Sequence, residues 1–91
     1  MTAAKQTVTI VNKRGLHARA SAKFVAAAAQ MEDVSITVAK DGTSAGGTSI
    51  LGLMMLGAAK GDTIDIAAEG AEAETRLAEL VELVESGFGE D

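Results

Sequence analysis

The amino-acid sequence predicts an α+β domain in which helices cover one face of an antiparallel sheet and leave the other face open. Four segments are rich in β-branched residues and alternate between apolar and polar side chains, as do strands with one solvent-exposed face. Three other segments are alanine-rich or carry apolar residues at helical spacing. The elements follow the order βαββαβα, and the chain of 91 residues suits one domain over residues 1–91.

The first strand is predicted over residues 6–11, where Val8 and Ile10 share one side. Residues 12–15 predict a loop that contains a glycine. Residues 18–31 follow as an alanine-rich helix, because alanine has the highest helix propensity. Its apolar face is expected to comprise Ala20, Phe24, Ala27, Ala28 and Met31.

Residues 34–38 alternate strictly between apolar and polar side chains and predict the second strand. Asp41 and Gly42 then predict a hairpin turn, since this pair favours the positive φ angles that tight hairpins need. A short returning strand is expected over residues 43–45.

The second helix is predicted over residues 50–56, with Ser49 as its N-cap and Gly57 as its end. Residues 63–68 predict the fourth strand, and residues 71–86 the last helix. The inward side chains of that strand are Ile64, Ile66 and Ala68, and those of the helix are Ala73, Leu77, Leu80, Val81 and Val84.

Composition and charge exclude several classes of protein. The chain has no cysteine, so disulfides and thiolate metal sites are excluded. Residues 1–31 carry five bases and no acid, whereas residues 62–91 carry ten acids and one base. The net charge of −5 argues against a nucleic-acid partner, although the basic residues between 13 and 23 can hold an anion. No apolar stretch is long enough to span a bilayer, so we expect a cytoplasmic protein without membrane insertion.

His17 is the single histidine and stands where a glycine loop meets the first helix. Free N–H groups and the helix dipole favour an anion at such a position. Arg19, two residues on, can form paired hydrogen bonds with phosphate oxygens. The residues themselves leave two interpretations: a histidine that accepts a phosphoryl group, or a helix cap at the surface. A metal site is disfavoured because one histidine has no companion ligands.

Two segments resemble the HPr family of bacterial phosphocarrier proteins, which includes a nitrogen-branch relative, NPr. Residues 12–19, Asn-Lys-Arg-Gly-Leu-His-Ala-Arg, are similar to its active-site signature, and residues 48–57 are similar to its regulatory-serine helix. The resemblance implies an open-faced β-sandwich with strand order 1-4-2-3 under three helices. It also implies a monomeric protein that is not an enzyme and needs no cofactor or metal.

By this resemblance, Nδ1 of His17 accepts a phosphoryl group from enzyme I and passes it to EIIA domains, while Arg19 coordinates the phosphate. Ser49 matches the serine that HPr kinase/phosphorylase modifies. The two motifs are shared by the sugar-transport and nitrogen-regulation branches and do not distinguish them. Ala20 stands where the family usually has proline, so we expect the first helical turn to form with less preorganisation.

A docking surface is expected on the second helix. A helix of about two turns cannot bury all its apolar residues, and the resemblance favours Leu53 and Leu56 as the core pair. The remaining apolar side chains should form an exposed patch near His17 for enzyme I and EIIA. This docking patch comprises Ile50, Leu51, Met54 and Met55.

Three alternatives compete with the phosphocarrier. A purely regulatory module of the same fold would use Ser49 and not His17. A small nucleic-acid-binding domain would need surface aromatics and positive charge that this chain lacks. A hydrolase would need Ser21 to pair with His17 and an orienting acid. The acidic tail, residues 89–91, is assigned no function.

Overall fold

The computed structural model describes residues 2–90, which form the predicted order of strands and helices. The strands are β1 (Thr2–Thr9), β2 (Val34–Lys40), β3 (Thr43–Gly46) and β4 (Thr63–Gly70). The helices are α1 (Ala18–Ala29), α2 (Ile50–Met55) and α3 (Ala73–Glu85), and a short 3₁₀ turn, Gly87–Gly89, follows α3.

The four strands form one antiparallel sheet in the order β1-β4-β2-β3, which confirms the order implied by the family resemblance. The central strand β4 pairs Ile64 with Val8 of β1 and Ile66 with Val38 of β2. These side chains are buried, while the positions between them stay partly or fully exposed. One face of the sheet therefore packs on the core, as the alternating pattern predicts.

The core is a single apolar cluster between this face and the helices, of which α3 packs on β1 and β4 while α1 contacts both α2 and α3. Every residue of the predicted α3 stripe is buried. The predicted stripe of α1 is buried except for Ala27, which is half-buried at the rim. Phe24 and Phe88, the two aromatic residues, are the largest side chains in the core.

Each predicted element differs from the observed one by one or two residues at an end, and β1 differs most. β1 begins at Thr2, where its mostly exposed residues pair with the far end of β4 and give no apolar signal. Ile10 lies beyond the strand but still exchanges backbone hydrogen bonds with Asp62 and Gly61, each 2.8 Å. α1 ends at Ala29 instead of residue 31, although the side chain of Met31 remains in the core.

Candidate functional site

The loop before α1 lies directly against the segment that follows α2. Gly15 has a φ of +62°, and a Cβ placed there would stand 2.2 Å from the carbonyl oxygen of Ala58. The backbone N–H of the next residue, Leu16, donates to that same oxygen at 2.9 Å, and the Leu16 side chain is buried. Only glycine allows this close approach and this φ together. This contact fixes the position of the loop end, where His17 caps α1.

His17 is the N-cap of α1, with its backbone extended at φ −74° and ψ −179°. Its Nδ1 atom accepts the backbone N–H of Arg19 at 3.2 Å, which is longer than usual for such a bond. Because a backbone N–H is only ever a donor, Nδ1 must carry a lone pair. The side chain is 21% exposed, so the imidazole is partly open to solvent. The cap interpretation is therefore correct, and it is compatible with a nucleophilic Nδ1.

The other ring nitrogen, Nε2, faces Glu90. Nε2 of His17 lies 2.8 Å from Oε2 of Glu90, and Oε1 of Glu90 accepts from Nδ2 of Asn12 at 3.1 Å. A carboxylate accepts and the ring nitrogen beside it donates, so the proton is on Nε2. Partial desolvation raises the pKa of Glu90, but the hydrogen bonds from Asn12 and His17 outweigh it and hold that pKa below its ordinary value.

Sequence reasoning missed Glu90, since it assigned the acidic tail no function. Asp91, the other acid of that tail, lies outside the described residues. A signal for the chain reversal was present in Gly87 and Gly89, which flank an aromatic residue and favour a sharp turn there. Nothing in the local sequence indicates where such a turn would place Glu90.

A basic cleft of about 500 Å³ opens beside the imidazole. Arg19 is exposed and helps to line the cleft. Within the described part of the chain, no cluster of three or more potential ligands could hold a metal ion. The cleft is lined by Lys13, Arg14, His17, Arg19, Lys23, Gly89 and Glu90.

Ser21 and Ala20 are two further residues of α1 for which the sequence led to an expectation. Ser21 is 0% exposed and its hydroxyl donates to the carbonyl of Leu16 at 3.2 Å, so it neither reaches solvent nor pairs with His17. The Ser21–His17 pair on which the hydrolase alternative depends is therefore not formed. Ala20, in place of the family's usual proline, is fully buried within the regular helix.

Ser49 is the N-cap of α2, as predicted: its hydroxyl accepts the backbone N–H of Gly52 at 2.9 Å. The residue is exposed. Gly57 follows the helix with a φ of +66°, the left-handed conformation that ends helices. Ser49 therefore stands at the surface, with its hydroxyl committed to the cap.

The two faces of α2 separate as expected. Leu53 and Leu56 are buried in the core. The docking patch is exposed, most strongly at Leu51, which is 68% accessible, and Met55, which is 75% accessible. The other two members, Ile50 and Met54, are 40% and 41% accessible. Because α2 packs against α1, which His17 caps, the patch and the histidine belong to neighbouring elements.

Comparison with known proteins identifies the family to which this fold belongs. Residues 4–86 match the family described as "PTS HPr component phosphorylation site". Phosphocarrier protein HPr of Neisseria meningitidis is 44% identical, with 94% of this chain and 96% of that protein aligned. Phosphocarrier protein NPr of Escherichia coli is 42% identical over 96% of this chain and 97% of that protein.

A solved structure, HPr-C-His from Thermoanaerobacter tengcongensis, superposes with a TM-score of 0.90 at 41% identity, covering 97% of this chain and 98% of that one. A second structure from that organism is described as an HPr dimer and superposes with a TM-score of 0.75 at 42% identity, covering 91% and 94%. The chain belongs to the HPr family of phosphotransferase-system phosphocarriers. None of its helices within residues 2–90 is long and apolar enough to cross a membrane.

Proposed function

We propose that Nδ1 of His17 accepts a phosphoryl group from phospho-enzyme I and delivers it to EIIA domains. The protein is then a substrate of the enzymes on either side of it and not itself an enzyme, and it acts in the cytoplasm as a monomer. The observation that carries this proposal is the hydrogen bonding of the single histidine: Nδ1 accepts a backbone N–H, and so carries a lone pair, at a helix N-terminus beside a basic cleft.

The surroundings of Nδ1 suit a phosphoryl group. The long hydrogen bond from the Arg19 backbone N–H is weak enough to be given up, which frees that donor for a phosphoryl oxygen. The Arg19 guanidinium can add paired hydrogen bonds, and Lys13 and Lys23 add positive charge around the cleft. No acidic side chain stands in the first turn of α1 to oppose the incoming anion.

The test is incubation with enzyme I and phosphoenolpyruvate, followed by intact mass measurement. The protein should gain one phosphoryl group that is labile in acid and stable in base. His17→Ala should gain none, and a phosphoryl group on that variant would contradict the proposal. Arg19→Ala should fold normally and be phosphorylated more slowly, whereas Lys60→Ala, which removes an exposed cation outside the cleft, should match the unmodified protein.

We further propose that enzyme I and EIIA domains share the docking patch and so compete for it. The support is its apolar exposure, since such patches mark interaction sites and methionine adapts to several partners. Leu51→Glu should weaken binding of enzyme I without unfolding the protein. Ala78→Glu, which adds the same charge at an exposed position of α3, is the matched control. Equal affinity of the two variants for enzyme I would count against the shared patch.

Regulation is proposed at Ser49, through phosphorylation by HPr kinase/phosphorylase. A phosphoryl group there adds about −1.5 to −2 charge at pH 7. The helix N-terminus tolerates that charge, but docking would bury it against an apolar partner surface beside Leu51. Phospho-Ser49 or Ser49→Asp should therefore raise the apparent KM for enzyme I, while Ser49→Ala should not. An unchanged KM for the phosphorylated form would exclude this mechanism.

The branch that this carrier serves is decided by its acceptor, because its relatives bear both the HPr and the NPr names. Transfer from the phosphorylated protein to a sugar-branch EIIA domain and to a nitrogen-branch EIIA domain should be timed side by side. The faster acceptor identifies the branch. Light scattering on the same samples tests the proposed monomer, since a solved relative is described as a dimer.

A further inference from the structure

The segment after α3 is turned back on itself by an unusual run of backbone angles. Gly87, Phe88 and Gly89 all have positive φ, of 68°, 58° and 75°. Phe88 is buried in the core, and its carbonyl oxygen accepts from Nζ of Lys23 at 2.7 Å. These anchors reverse the chain and hold Glu90 against the loop before α1.

Both carboxylate oxygens of Glu90 are engaged. One accepts from Asn12 at 3.1 Å and the other lies 2.8 Å from Nε2 of His17. Asn12 is itself buried, and the same amide group donates to the carbonyl of Gly15 at 2.8 Å. The carboxylate is therefore held from two sides, and its lowered pKa keeps it ionised near neutral pH.

We propose that Glu90 is a positioning residue for phosphoryl transfer: it holds the proton on Nε2, keeps the lone pair on Nδ1, and neutralises the charge that the ring acquires. This role rests on the function proposed above for His17. Its geometry resembles that of the aspartate in a Ser-His-Asp triad, which orients a histidine and stabilises its charged form.

The movement of electrons during phosphoryl transfer explains why an anion beside Nε2 is useful. The Nδ1 lone pair forms the bond to phosphorus, and the bond between phosphorus and the donor breaks with its electron pair leaving on the donor. The proton stays on Nε2, so the phosphorylated ring of His17 carries a positive charge next to Glu90. On transfer to the acceptor, a lone pair of the acceptor forms the new bond to phosphorus and the N–P bond breaks. Its electron pair returns to Nδ1, and the ring is neutral again. Glu90 therefore favours the phosphorylated form.

The placement of charge around the ring supports this role. The charged groups that face His17 across the cleft are the cations Lys13, Arg14, Arg19 and Lys23, together with Glu90. Glu90 is the one acid among the described residues that line the cleft. It lies beside Nε2, the ring nitrogen that keeps its proton. The cations that line the cleft are left to the phosphoryl group that would bond Nδ1.

Glu90→Gln is the sharpest variant, because an amide has one accepting oxygen where the carboxylate has two. In the same position its NH₂ group would face either Asn12 or Nε2 of His17, so one of the two hydrogen bonds is lost. Glu85→Gln, at the exposed end of α3 and outside the cleft, removes the same charge and is the matched control. The measurements are the imidazole ¹⁵N chemical shifts of the unphosphorylated protein and the equilibrium constant for phosphorylation by enzyme I with phosphoenolpyruvate.

We expect Glu90→Gln to lower the population of the Nε2-protonated tautomer and to lower the phosphorylation equilibrium constant about tenfold, because a charge-assisted hydrogen bond becomes a neutral one. Glu85→Gln should leave both unchanged. A Glu90→Gln variant with an unaltered tautomer and equilibrium constant would overturn the proposal, even if it is phosphorylated more slowly. Failure of the unmodified protein to be phosphorylated would instead refute the proposed function, which the ¹⁵N shifts do not depend on.

Discussion

Phe88 links the stability of the protein to the placement of its tail, and replacing it by alanine tests both. The side chain is 1% exposed. An aromatic side chain buries roughly 150–250 Å², worth about 4–6 kcal/mol as an upper estimate at about 25 cal/mol per Å². Measured losses for Phe→Ala in protein cores are about 3–5 kcal/mol. A domain of this size has a total stability of about 5–14 kcal/mol, so the variant should lose a large share of it.

The left-handed backbone at Phe88 predicts a difference in stability between Phe88→Gly and Phe88→Ala. At a φ of 58°, any residue with a Cβ carries a strain of about 1–2 kcal/mol that glycine avoids. Glycine normally costs about 0.4–1 kcal/mol relative to alanine through the entropy of the unfolded chain. The strain term is the larger, so Phe88→Gly should be about 0.5–1 kcal/mol more stable than Phe88→Ala.

Urea unfolding followed by far-UV circular dichroism measures both differences, since the chain has no tryptophan or tyrosine for fluorescence. A loss below about 1 kcal/mol for Phe88→Ala would refute the burial of this ring. A Phe88→Ala variant that is clearly more stable than Phe88→Gly would refute the left-handed backbone, and with it the reversal that brings Glu90 to His17.

Gly15→Ala should destabilise the protein by about 1–3 kcal/mol more than Gly57→Ala, because only the first Cβ collides with the carbonyl of Ala58 while both positions have positive φ; equal urea midpoints would contradict this. Ser49→Ala should cost about 1 kcal/mol through the lost helix cap, measured the same way, and no change would mean that the cap contributes nothing. Glu90, whose pKa is lowered, contributes stability above its ordinary pKa of 4.5 and loses it as the pH falls through its folded value. Glu90→Gln should therefore be less stable than the unmodified protein at pH 7, and a difference that persists at pH 2 would contradict this.

The regular part of the fold could be predicted because burial and periodicity coincide there. The alternation of Ile64, Ile66 and Ala68 in β4 and the stripe of α3 follow directly from which face meets the core. The order of the strands could not be predicted in this way, because alternation does not show which strands pair with each other. That order was implied by the family resemblance. The start of β1 was missed because its residues are stabilised by backbone pairing and not by apolar burial.

The candidate site was predicted in part for the same kind of reason. His17 and Arg19 lie two residues apart at the start of one helix, so the sequence alone predicts that they are close together. Glu90 is 73 residues from His17, and its placement depends on where the reversed tail packs in three dimensions. Asn12 gave only a turn signal, although its amide holds both the loop and the carboxylate. Long-range polar contacts of this kind leave no periodic trace in a sequence.

The proposed site of phosphorylation is Nδ1 of His17. Because the chain has a single histidine, protein labelled with ¹⁵N only in histidine gives one imidazole to observe. After phosphorylation by enzyme I and phosphoenolpyruvate, ¹⁵N–³¹P coupling identifies the bonded nitrogen. We expect the coupling on Nδ1, with Nε2 still next to Glu90. Coupling on Nε2, or a phosphorylated protein without coupling to either ring nitrogen, would contradict the mechanism.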